Sequence, residues 1–73
     1  MPLKKFVIVV EDAGTNWGAY VPDLPGCIAT GDTEEEVGRL IRQAITLHLE
    51  GMAEDGIPIP EPSSRVEFME VNA

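Results

Sequence analysis

One cysteine, one histidine and five basic side chains are all that this 73-residue chain carries of thiol, imidazole and cationic groups. Cys27, alone, cannot close an internal disulfide. His48 has no second histidine or cysteine at metal-ligand spacing. Thirteen Asp and Glu against five Lys and Arg give a formal net charge of -8, which opposes a phosphate backbone unless the few basic residues cluster. A basic protein partner is the better expectation. No run of about 18 apolar residues and no charged-then-apolar leader is present, so no membrane association is expected and a soluble, cytoplasmic protein is. The glycines at 14, 18, 26 and 31 match neither a P-loop nor a dinucleotide fingerprint and are read as turn residues. No cofactor is expected.

What is present patterns as one small α+β domain over residues 1–73, in the order β-β-β-α-β. "KKFVIVVED" is β-branched and aromatic, and predicts a strand over 4–12 that ends in the turn-forming "AGTN". Alternation puts Phe6, Ile8 and Val10 on one face and Val7 and Val9 on the other. One helix covers only one of these faces. "WGAYVP" predicts a second strand over 17–22, paired back as a hairpin, and "CIATG" a short third strand over 27–31, completing an antiparallel meander. Thr33 with Glu36 three residues later matches a capping box, and the apolar residues from Val37 to Met52 recur at helical spacing. A helix over 33–55, packed on one sheet face, follows. Prolines at 58, 60 and 62 make 56–64 a stiff, extended return, and "RVEFMEV" predicts a fourth strand over 65–71.

A domain of this length buries only about 60% of the surface of its unfolded chain, so a partner surface is expected. Val7 and Val9, backing the first strand on the face away from the helix, are the expected interface of a homodimer or higher homo-oligomer. The chemical candidates have plainer explanations. His48 falls on the apolar stripe of the helix as a half-buried packing residue or a contact on the end of the helix that overhangs the sheet. Cys27 has no neighbouring base and reads as a sheltered thiol. Glu11, Asp12, Asp23 and Asp32 lie near strand ends, where a metal-dependent nuclease would gather them on Mg²⁺, but acids there in so acidic a chain are ordinarily solvated turns. No catalytic or metal-binding residue is expected.

The ordered set "YVPDLPGCIATGDTEEEV", "IRQAITLHLE" and "PIPEPS" resembles the N-terminal domain of the HicB family of antitoxins across nearly the whole chain. The resemblance implies a partial ribonuclease-H-like layer without a working catalytic set. It also implies the role of antidote in a type II toxin–antitoxin pair, binding and masking a small, basic, messenger-cleaving toxin of the HicA type. Many members add a C-terminal DNA-binding domain; nothing follows Ala73, so direct DNA binding is not expected. For the toxin-contact region the expectation is the acidic helix start, Asp32, Glu34 and Glu35, beside Asp23 and Leu24 of the preceding turn. The alternatives are an orphan oligomerisation module and, third, a small metal-dependent nuclease.

Overall fold

The computed structural model describes residues 4–72. Three strands, β1 (Val9–Asp12), β2 (Trp17–Tyr20) and β3 (Ile28–Gly31), form one antiparallel sheet in the order β1-β2-β3, and one helix, α1 (Glu34–Glu54), follows. The first turn closes because the Ala13 N–H donates to the Asn16 carbonyl at 2.8 Å and the Gly14 N–H to Asp12 Oδ1 at 2.9 Å. Val10, Ala19 and Ala29 stand in register across the sheet, as do Val9, Tyr20 and Ile28 one step along. Because side chains alternate, the first row lies on the helix side and the second on the open side.

The core is Ala19, Val21, Leu24, Cys27, Val37 and Ile41, with Phe6, Trp17, Ala29, Ala44, Ile45 and Leu49 packed around it. The helix seats tightly on β3 because position 31 is glycine: a Cβ there would lie 2.9 Å from the Val37 backbone nitrogen. At its far end, Gly56 takes φ 70°, and the Ile57 and Gly56 N–H groups donate to the Met52 and Ala53 carbonyls at 2.8 and 3.2 Å. That is a Schellman stop, which needs the left-handed backbone that glycine adopts freely. Beyond Ile41 no helix residue is fully buried, and Ala44, Ile45 and Leu49 pack against the core while staying partly exposed.

The strands are shorter than their apolar runs. β2 ends at Tyr20 because Val21 and Pro22 enter the turn, and Pro22 has no N–H to offer. Lys4–Ile8 therefore extends past the end of its partner and pairs with no strand among the described residues. The expected fourth strand over 65–71 is corrected: that segment takes no strand structure, and Val66, Phe68, Met69 and Val71 are exposed. Pattern alone does not make a strand. The backbone needs an edge to pair with, and in the single chain this one meets none.

Candidate functional site

Asp32, Glu34 and Glu35 are exposed together where β3 passes into α1. Thr33 sets this corner: its backbone is extended (φ -131°, ψ 162°) and its Oγ1 accepts from the Glu36 N–H at 3.0 Å. The reciprocal bond of a capping box, from the Thr33 N–H to the Glu36 carboxylate, is not made among the described residues, so the cap is one-sided. Three acidic residues in the first turn face the positive end of the helix dipole. Their clustering has a helix-forming cause, and it leaves a negative surface at that end of the sheet.

Asp23 and Leu24 lie at the opposite end, in the β2–β3 turn, so β3 separates them from the helix start. Leu24 is 1% exposed and points into the core, held by a compact turn in which its N–H donates to Val21 O and its carbonyl accepts from the Cys27 N–H, both at 3.1 Å. Asp23 is engaged by the return segment. Its Oδ2 accepts from the Ser63 and Ser64 backbone N–H groups at 3.0 and 3.1 Å, and its Oδ1 from the two serine hydroxyls at 3.1 and 2.9 Å. These bonds, the Ser64 backbone bond foremost, hold the carboxyl below its ordinary pKa. A second tie lies nearby, where Lys4 Nζ pairs with Glu61. Sequence reasoning missed this clasp, because nothing local in "PDLPG" or "PSS" says that a partner forty residues away will satisfy both.

The acidic strand ends do not converge. Asp12 and Asp32 sit at one end of the sheet and Asp23 at the other. Among the described residues no group of three or more His, Cys, Asp or Glu side chains is arranged to hold a metal ion. Cys27 is buried, and burial pushes its thiol up, away from the thiolate a nucleophile needs. His48 is half-buried on the helix.

Val7 and Val9 lie on the open face of the sheet, half-buried. The register adds Tyr20 and Ile28 beside Val9, both exposed, and Gly18 leaves a shallow trough of about 260 Å³ between Tyr20, Ile28, Thr30 and Glu11. Tyr20 and Ile28 belong to the same surface as the two valines. Alternation along the second and third strands carried that signal in the sequence.

Compared with known proteins, residues 6–72 match the family described as HicB-like antitoxin of bacterial toxin-antitoxin systems. An uncharacterised 14.9 kDa protein from the rep-hol intergenic region of Haemophilus phage HP1 is 38% identical over 64 residues, covering 88% of this chain and 48% of that protein. Antitoxin HicB 2 of Photorhabdus laumondii is 33% identical over 70 residues, covering 94% of this chain and 50% of its own. The UPF0150 protein Ta0767 of Thermoplasma acidophilum is 31% identical over 62 residues, 85% of this chain and 90% of that one. The chain thus spans about half the length of the first two relatives. No solved structure matches it. With the family match running through the sheet, the helix and the return segment, the chain belongs to the HicB-like antitoxins of bacterial toxin–antitoxin systems.

Proposed function

We propose that this domain binds and neutralises a small basic toxin of the HicA type in the cytoplasm, by covering the surface with which that toxin cleaves messenger RNA. Family membership over residues 6–72 carries the reading. The chain's charge supplies a physical route: at net -8 it attracts a cationic partner, and Asp32, Glu34 and Glu35 form an exposed negative surface beside the helix start. Asp23 and Leu24 act from behind, as clasp and core, rather than as contacts. The domain works by binding and not by catalysis, and the charge that draws a basic protein keeps DNA away. Self-association through the open face, Val7, Val9, Tyr20 and Ile28, accompanies this role.

The test is a titration of the folded protein into the toxin encoded beside it, with RNA cleavage as the readout. Cleavage should fall to the background as the two reach equal concentration. Undiminished cleavage at saturating antitoxin refutes the assignment and leaves the self-associating module as the reading.

A further inference from the structure

An exposed arm and an uncovered edge occur in the same chain, and their patterns fit one another. The arm, Arg65–Asn72, leaves the domain just after Ser64, where the Asp23 clasp fixes its root. Phe68 is 96% exposed, and Val66, Met69 and Val71 are exposed with it. Alternation puts Val66 and Phe68 on one side of the arm, with Arg65, Glu67, Met69 and Val71 on the other. The edge is the outer side of β1 together with Lys4–Ile8, which pairs with no strand among the described residues. On its helix side Ile8 and Val10 are partly uncovered, and a trough of about 200 Å³ opens between Phe6, Ile8, Arg42, Ile45 and Thr46. Unpaired edges of this kind are where strands add.

We propose that two copies of this chain exchange their C-terminal arms, each arm adding antiparallel to the β1 edge of the other copy. Setting Phe68 opposite Ile8 puts Val66 opposite Val10, so both apolar arm residues meet the helix-side row and Phe68 reaches the trough. On the open side the same register puts Met69 opposite Val7 and Arg65 opposite Glu11. Each arm thus gains the apolar pairs Phe68–Ile8, Val66–Val10 and Met69–Val7 and the opposite-charge pair Arg65–Glu11, against Glu67 set opposite Val9 and Glu70 opposite Phe6. A chain cannot make this pairing with itself. The clasp holds Ser64 at the Asp23 end of the sheet, whereas Glu11 lies toward the other end, level with Gly18. From Gly18 to Val21 alone the strand runs about 10 Å, and a single residue carries Arg65 only about 3.8 Å from Ser64. The exchange is reciprocal, so it closes as a two-fold dimer instead of propagating. It deepens the self-association proposed above by adding a second contact, through the arm and the β1 edge, that is separate from the open face.

Ile8→Cys and Phe68→Cys, placed in separate chains that are then mixed and mildly oxidised, test the register, because directly opposed strand residues fall within disulfide range. Cys27 stays as it is, buried. A cross-linked heterodimer is the expected product, together with loss of the dimer on sedimentation for Phe68→Asp, whose exposed position leaves the protomer fold alone. A chain carrying both cysteines that closes within itself and runs as a monomer overturns the exchange in favour of the arm folding back on its own sheet. A dimer that persists in Phe68→Asp overturns the arm while leaving open-face association standing. A wild-type chain that is monomeric at tens of micromolar, about the range where weak interfaces populate, overturns both. Toxin inhibition is read separately, since Phe68→Asp leaves Asp32, Glu34 and Glu35 untouched.

Discussion

Asp23 and Leu24 adjoin in sequence and are used in opposite ways. Leu24 is sealed into the core, while Asp23 turns out to collect four hydrogen bonds from Ser63 and Ser64. The carboxylate form is the better acceptor for all four donors, so its pKa is lowered in the folded chain. A lowered folded pKa stabilises the clasp fully above the unfolded value, and that stabilisation fades as pH falls through the folded value, below the usual carboxylate range. At neutral pH the clasp is therefore closed. Asp23→Ala should speed amide exchange at Ser63 and Ser64 several-fold at neutral pH, with little change in the sheet. Asp23→Asn should do less, because its one amide oxygen can still take both backbone N–H groups while its NH₂ donates to the hydroxyls, but it should abolish the acid dependence. Exchange at those two amides that is identical in Asp23→Ala and the parent would show that the clasp does not hold the return segment.

The elements rest on two small residues at the sheet–helix joint. Thr33→Ala removes the N-cap acceptor and should cost about 1 kcal/mol, a fall of roughly 4–8 °C in Tm for a domain of this size. Gly31→Ala should cost more, about 1–3 kcal/mol, because its Cβ meets backbone at Val37 and the helix must lift to admit it. Equal thermal stability of Gly31→Ala and the parent would mean that the helix start is not seated as described. Thr33 was readable from sequence, since a cap is local; so were the helix and the hairpin. Gly31 read only as a turn residue, because the need for a bare backbone there comes from the helix backbone at Val37, six residues further on. The fourth strand failed for the converse reason. Arg65–Val71 has the composition of a strand, but pairing is a property of two segments, and sequence pattern describes one at a time. The residues expected to meet the toxin divide in the same way: Asp32, Glu34 and Glu35 stand together because the cap is local, whereas Asp23 and Leu24 lie across β3 at the other end of the sheet.

At the scale of the whole molecule, charge decides how a partner arrives. A net charge of -8 on 73 residues gives a long-range field that the proposed cationic toxin would feel before contact, and ions screen that field over about 8 Å at physiological salt. The exposed side chains at Asp32, Glu34 and Glu35 add the local part. Pairs at the rim of an interface act mainly on association, while buried apolar anchors act mainly on dissociation. Reversing Glu34 and Glu35 together to Lys changes the net charge from -8 to -4 and puts positive charge against the positive end of the helix dipole. The double variant should therefore fold with somewhat lower stability and bind the toxin with an association rate reduced about tenfold or more at low salt. Its dissociation rate should move little. Raising the salt should slow association of the parent strongly and of the variant weakly, so that the two rates approach one another. Stopped-flow association at several ionic strengths reads this directly, with circular dichroism confirming that the variant is folded. An association rate unaffected by the reversals at low salt would place the toxin elsewhere on the domain.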